Sequence, residues 1–418
     1  MNIFGTAHTT TDYADYDPAT NGGVPATYAI ANVFGGGNFA DYTASNKTAT
    51  VNIFSCDNTI ERVFGGGDAS ATPNVSTDIQ GGRMDKVFGG GNGERPGYPA
   101  NINGNILLAI HGGTVNTFFV GSNQNGTITG TQTVTVDGNG PCGDQMDIDE
   151  FFCGGNAVNV IGDVDATIDC QDGMTVRNLY GGCNKADVLD DLSTPEHEGN
   201  INLVVKGGTF QNVYGGSKGD LAAIGDGHTD RQVIIEGNVN LTITGGTIDT
   251  IFGACNINGN VLGGVTINVY DSLNTTCPLV IHNIYGGGRT AKYEPTDATG
   301  AYPEINIMKG TISQDTINTS TGIVLTGGNV FGGGYGTNYG IEAIVKSNPK
   351  ITIGDSVVGH SSNEATVEGN VYGGGHGAKV EGNPHVILDG TSVVNVNGNV
   401  YGGGSQAEVT GNPKVEVK

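Results

Sequence analysis

The chain has 418 residues, with 42 acidic against 18 basic side chains, and its net charge of −24 repels polyanions, which excludes nucleic acid and anionic membranes as partners. It carries 73 glycines and 36% apolar residues; the apolar residues gather in short β-branched runs, so the chain is not disordered, and glycine does not recur at every third place, so it is not collagen-like. No run approaches the roughly 18 apolar residues of a membrane span, and no basic stretch followed by an apolar run marks an export signal within the chain.

Residues 1–33 open on a degenerate motif, Asn2-Ile3-Phe4-Gly5-Thr6-Ala7, followed by an acidic aromatic loop. In that loop Asp12, Asp15 and Asp17 are a weak Ca²⁺ candidate, because clustered carboxylate oxygens suit a hard cation. The spacing of an EF-hand is absent, and a solvated loop without a cofactor is the simpler expectation.

From residue 34 to 418 one short stretch keeps returning: an aliphatic residue, an aromatic, then glycines. The aromatic falls at Phe34, Phe64, Phe88, Phe119, Phe152, Tyr180, Tyr214, Phe252, Tyr285, Phe331, Tyr372 and Tyr401. Gaps run from 24 residues, between Phe64 and Phe88, to 46, between Tyr285 and Phe331. Self-similarity at that period marks a repeat architecture. Residues 34–118 hold clean copies. Residues 119–185 are degenerate, with Phe119-Val120-Gly121-Ser122 and Phe152-Cys153-Gly154-Gly155. Residues 186–330 carry the longest inserts, and 331–418 are the tidiest.

The unit around Tyr214 shows the grammar: Gly199-Asn200, then Ile201 to Lys206, then Gly207-Gly208, then Thr209 to Tyr214, then Gly215-Gly216. Each piece is a strand of alternating residues bounded by Gly or Asn, and no segment has helical periodicity. One unit cannot bury its own apolar face, whereas stacked units share a core. The pattern predicts an all-β fold: a parallel β-helix, or β-solenoid, of about 13 coils with three short strands each, and irregular loops from one corner. At about 4.8 Å per stacked strand the rod is roughly 60 Å long. Residues 1–33 form a degenerate first coil and acidic loop; residues 34–418 form one continuous domain.

With the aromatic as position zero, positions −3 and −2 are polar, as in Glu61-Arg62 and Asp149-Glu150, and become Gly-Asn in the last copies. Two adjacent polar residues break alternation and predict a tight corner there. Position −1 is aliphatic or Phe, and positions +1 and +3 admit Val120, Cys153, Cys183 and Cys255. These face the interior; by the period of two, positions 0 and +2 then face outward. The expectation is an external ladder of stacked rings, a surface for assembly or for glycans.

Seven cysteines are irregularly spaced without a CxxC pair, so no zinc site is expected. Cys153 and Cys183 belong to consecutive copies and come within disulfide range, but buried free thiols are the expected state. The acidic groups Asp144, Asp147, Asp149 and Glu150, and Asp187, Asp190, Asp191, Glu196 and Glu198, read as solvated loops.

Valine-Tyr/Phe followed by the glycine triplet, with Gly-Asn-Pro strands and Gly-Gly-Thr turns, resembles the glycine-rich repeat regions of bacterial secreted or surface adhesin-like proteins. The resemblance covers nearly the whole chain and implies a β-helical stalk or fibre outside the cell, with no catalytic residues to carry over. The array opens almost inside a copy and stops on the bare strand Lys414–Lys418. This leads to the expectation of a segment of a longer array, or of rods joining through uncapped ends, with glycans or other surface proteins as further partners. The competing class is a carbohydrate-binding or polysaccharide-degrading β-helix. Gly375-His376-Gly377 and Asp190-Asp191 match fragments of the hydrolase pattern, but they lie about six copies apart. His376 falls at position +4, where other copies have Asn38, Asp68, Lys218 and Arg289, so it reads as a turn residue.

Overall fold

A computed structural model describes residues 2–3, 29–138, 140–142, 146–170, 173–193, 199–221, 230–319, 322–336, 343–357 and 360–418. Among these the chain is all-β, and its strands pair in parallel within a 27-stranded sheet that winds into a solenoid-like stack. Two ladders make up the sheet. The first contains Thr48–Ile53, Asn74–Ile79, Ile106–Ile110, Gln132–Val136 and their successors to Lys414–Val417. The second contains the strands that end on the aromatics, among them Thr59–Phe64, Arg83–Phe88 and Thr114–Phe119. A third side is a four-stranded sheet only in the middle, at Val160–Ile161, Val188–Leu189, Val233–Ile235 and Gly259–Val261. Elsewhere it is reduced to single bridges such as Thr72 with Ile102 and Val345 with Val380.

Register is kept by sequence pattern. In the first ladder Ile53, Ile79, Ile110, Val136, Ile168, Val205, Ile243, Val269 and Ile307 are Cα partners in turn. A slip of one residue would turn this whole aliphatic column to solvent, so the register is strongly specified. Each inward Ile or Val contributes about 2 kcal/mol of burial. Ordering the backbone costs about 1–2 kcal/mol per residue, so a layer stands only with neighbours above and below.

The Gly-Asn pairs add a second tie between layers. The backbone amide of Asn105 donates to Asn74 Oδ1 at 2.9 Å, and that of Thr131 to Asn105 Oδ1 at 3.0 Å. The amides of Asn383 and Asn412 do the same to Asn348 and Asn383, at 2.8 and 2.7 Å. A short side chain at a turn thus answers an amide of the next layer that no strand would satisfy.

The glycines after the aromatic are set by close approach. A β-carbon on Gly65 would stand 2.3 Å from the Gly89 carbonyl oxygen, and one on Gly66 2.8 Å from Ile102 Cδ1. This corrects the outward reading of position +2. Regular strand ends at the aromatic, the chain bends, and both glycines are wedged against the next layer and the interior.

Other expectations are also revised. The polar pair at −3 and −2 is no corner in most copies: Thr59–Phe64 and Met146–Phe152 run through it as single strands. Pairing passes from Ile60↔Met84 to Arg62↔Lys86 with Glu61 outside the register, so two polar residues can stay outward in succession. Only in the last copies is the strand cut there, into Glu364–Val367 and Val371–Tyr372. Asn2–Ile3 pairs with Asn52 and Ile53 in the first ladder, so the opening motif aligns with Asn52-Ile53-Phe54 and not with the aromatic motif. Loops leave from more than one corner. An antiparallel hairpin of Gln314–Thr319 with Gly322–Gly327 interrupts the second ladder, whereas residues 271–278 lie between the two ladders.

Four cysteines form two bridges, Cys56–Cys142 and Cys170–Cys277. Cys56 follows the strand Thr48–Ile53 and Cys142 the strand Gln132–Val136, with two layers between them. The chain after Val136 folds back along the stack, and Gly81 makes room, since a β-carbon there would lie 2.4 Å from Cys142 Sγ. Cys277 reaches back in the same way over Gly207. Cys153, Cys183 and Cys255 are buried free thiols, as expected.

Candidate functional site: a polar cleft beside a buried ring ladder

The twelve aromatics stand in register, and consecutive rings stack along the array. Centroids lie 4.8 Å apart for Phe34–Phe64, 4.5 Å for Phe152–Tyr180, 5.1 Å for Phe252–Tyr285 and 5.0 Å for Tyr372–Tyr401. The rings form an apolar cluster of their own, separate from the main core that holds Val63, Val87, Phe118, Phe151 and Leu179. Adjacent residues of a strand face opposite sides, so position 0 does turn away from the interior of position −1. Yet from Phe64 to Phe331 the rings are buried; Phe34 and Tyr372 are partly buried, and Tyr401, at 45% exposure, opens furthest to solvent. The ladder is a second core, covered from outside.

The cover is the column at position +4. Asn92 Nδ2 donates to Asp68 Oδ1 at 2.7 Å, and Asn123, Asn156 and Asn184 each donate to the amide oxygen one layer back at 2.8 Å. The amide ladder stops at Asn184, whose Oδ1 is buried without a hydrogen-bond partner. The next residue in the column is Lys218, and its Nζ turns to Glu150 at 2.7 and 2.9 Å, passing 6.0 Å from the Phe152 ring. Further on, Asn256 Nδ2 donates to Tyr180 Oη at 2.9 Å. Towards the far end Tyr335 and His376 form a stacked pair in this column, centroids 5.3 Å apart, before Ser405 of the last copy. His376 also meets the Phe331 ring edge-on, and its burial lowers its pKa. It is thus a covering residue of the ring ladder. Burial likewise raises the phenols of Tyr180, Tyr214 and Tyr285 well above their usual range.

Beside the amide ladder runs a cleft of 460 Å³. The bulge at −3 and −2 sets Arg62, Lys86, Thr117 and Glu150 of successive layers along one wall. Glu94, Gln124, Ala157 and Lys185 form the other wall, over a floor of Phe119, Asn123, Asn156 and Asn184. Each of its charges has an opposite partner in or beside the cleft: Arg62 with Glu94 at 2.7 Å, Glu150 with Lys218 at 2.7 Å, Lys185 with Asp220 at 2.5 Å, and Lys86, more loosely, with Asp85 at 3.6 Å. Burial opposes the charge of Glu94, but hydrogen bonding and charge from Arg62, with the amides of Asn92 and Asn123, outweigh it and hold the carboxyl below its usual pKa.

Next to this cleft lies an exposed aromatic pair. Phe39 and Tyr98, 51% and 53% exposed, meet edge-on with centroids 5.3 Å apart. The Arg95 guanidinium sits 4.5 Å over Phe39 and 3.4 Å from Asp68, the residue that begins the amide ladder.

The remaining candidates are scattered. Asp12, Asp15 and Asp17 lie outside the described residues, as do Asp144, Glu196 and Glu198. Asp149 pairs with Arg177 at 3.1 Å, and Asp187 with Arg231 at 2.7 Å. Among the described residues no three His, Cys, Asp or Glu side chains converge as a metal site. Burial pushes the thiols of Cys183 and Cys255 up to about 12. The sequence reading missed the amide ladder, although writing out position +4 gives Asn38, Asn92, Asn123, Asn156, Asn184 and Asn256. It also missed the Phe39–Tyr98 pair, which falls outside the repeated positions. In comparisons with protein families, curated proteins and solved structures, nothing matches the chain.

Proposed function

We propose that the chain is a structural rod of a secreted or cell-surface, adhesin-like protein. It is a parallel β-helix of about 13 coils that serves as a stalk or filament segment. One observation carries the reading: the strands of both ladders pair with the layers before and after them, in register, from Asn2–Ile3 to Lys414–Val417. A fold that contacts only its neighbours grows in one dimension, and length is what it offers. Two disulfides fit an oxidising compartment and so support the extracellular setting.

The far edge of the array supports joining to a further layer. Tyr401 is 45% and Val417 74% exposed, while Phe331 and Ile353 in the same columns are 4% and 0% exposed. The partner proposed for that edge is a coil of a second copy, since an unpaired strand edge can accept another strand. Small-angle scattering and negative-stain microscopy of the purified chain test the reading. Rods roughly 60 Å long, alone or end to end, are expected. A compact particle overturns the stalk, and single rods at every concentration remove self-association.

The alternative, a carbohydrate-binding or polysaccharide-degrading β-helix, draws on the polar cleft. Degradation is the weaker half, because a general acid needs a raised carboxyl pKa and that of Glu94 is lowered.

A further inference from the structure

We propose that the cleft between Arg62 and Lys185, together with the Phe39–Tyr98 pair beside it, binds an uncharged oligosaccharide lying along the rod.

The cleft volume of 460 Å³ falls within the range of small-ligand sites. Its lining selects the chemistry. Arg62 is paired with Glu94 and Glu150 with Lys218, while the two further cations of the lining, Lys86 and Lys185, have Asp85 and Asp220 at 3.6 and 2.5 Å, so each charge has an opposite partner and neither sign is in surplus. The chain as a whole carries −24, which opposes an acidic ligand. An apolar ligand has little to touch, since Phe119 in the floor is only 2% exposed. What the cleft offers is a dense set of amides, a hydroxyl and fixed ion pairs. Asn156 and Asn184 each commit one N–H to the amide ladder and hold a second. Groups of this kind recognise hydroxyls.

The aromatic pair supplies the complementary part. A sugar ring has an apolar C–H face and a polar rim, and it is held by a flat ring beside hydrogen-bonding side chains. Phe39 and Tyr98 remain half exposed in a molecule that seals its repeated aromatics. Arg95 fixes Phe39 in place, and Asp68 joins Arg95 to Asn92 and so to the cleft floor. Arg95 also directly follows Glu94 of the cleft wall, which places the platform beside that wall.

An extended peptide is the other linear ligand of this size. It is captured by adding a strand to an unpaired sheet edge. Here the strands beside the cleft, Arg83–Phe88 and Thr114–Phe119, are paired on both sides, so only side chains face a ligand. This favours the glycan.

The test is calorimetric titration of the whole chain with linear neutral hexasaccharides of glucose, mannose, xylose and galactose, with oligogalacturonate and a Gly-Ser-Thr peptide as controls. At least one neutral probe is expected to bind with a Kd below about 5 mM, with little dependence on salt. Phe39→Ala and Gln124→Ala, both at exposed positions, should each weaken it about tenfold while leaving the thermal transition in place. Failure of every neutral probe overturns the proposal. So does binding confined to the acidic probe or to the peptide, and so does binding that both variants leave intact. Rod formation is read separately by microscopy, so failure here leaves the stalk reading standing.

Discussion

The array before Tyr285 and the array after Phe331 use the same columns of apolar residues but finish their surfaces differently. In the earlier part the polar pair bulges outward within strands such as Thr59–Phe64 and Gly246–Phe252. In the later part Gly-Asn replaces the pair, the strand is cut, and the asparagine reaches the next layer: the amides of Asn370 and Asn399 donate to Asn329 and Asn370 Oδ1, both at 2.9 Å. The cover of the rings changes in step, from an amide ladder to the Tyr335–His376 stack. The interior therefore dictates the fold, and the outer face of the second ladder is free to diverge. Where it diverges towards long polar side chains, a cleft forms.

The sharpest way to break this comparison is to delete a ring in each part. Phe152→Ala removes a fully buried ring stacked on both sides, and should cost about 3–5 kcal/mol in urea unfolding. Tyr401→Ala removes a half-exposed ring with one stacked neighbour, and should cost less than about 1 kcal/mol. Equal costs would mean that the ladder is not a second core. The two asparagine solutions come next. Asn156→Ala leaves both the Asn123 oxygen and the Asn184 amide without partners, at about 1–3 kcal/mol. Asn370→Ala frees groups nearer to water, and about 1 kcal/mol or less is expected.

The smallest effect lies between the two parts. Glu294 is held by hydrogen bonds from Lys292 and Lys346, at 2.8 and 2.9 Å, and its pKa falls from 4.5 to about 2. A depressed carboxyl stabilises the fold above its unfolded value and loses that contribution as the pH falls through the folded one. Glu294→Gln should thus cost a few tenths of a kcal/mol at neutral pH, screening being strong at an exposed site. The difference should fade between pH 4.5 and about 2, and a constant difference down to pH 2 would refute the linkage.

Much of the fold was legible because a parallel stack repeats its constraints. Ile79 and Ile110 sit at equal places in successive units, and so do Phe88 and Phe119. The segregation of −1 from 0 followed from strand alternation. The burial of the rings did not, since it depends on turn residues such as Asn156 that cross back over them. Position +2 was misread because alternation was carried past the end of the strand, into glycines fixed by backbone contact. The disulfides were hidden for a related reason. Cys142 and Cys277 lie on excursions that run along the stack, and spacing within the repeat says nothing about such a path. The cleft needed side chains from five or more consecutive layers, none of them distinctive alone.

The two bridges have a consequence for a molecule under tension. A chain that only stacks can be unravelled from an end, one layer after another. Between Cys56 and Cys142 the polypeptide is a closed ring, with a sequence separation of 86. Tension entering at one cysteine leaves at the other without loading the strands between them. At about 3.4 Å per extended residue, that ring withholds roughly 290 Å of contour from any pull on the ends. The second ring, with a separation of 107, withholds about 360 Å. Under load the oxidised protein is a tether with two inextensible knots, and adding a reductant would lengthen it without cutting the chain.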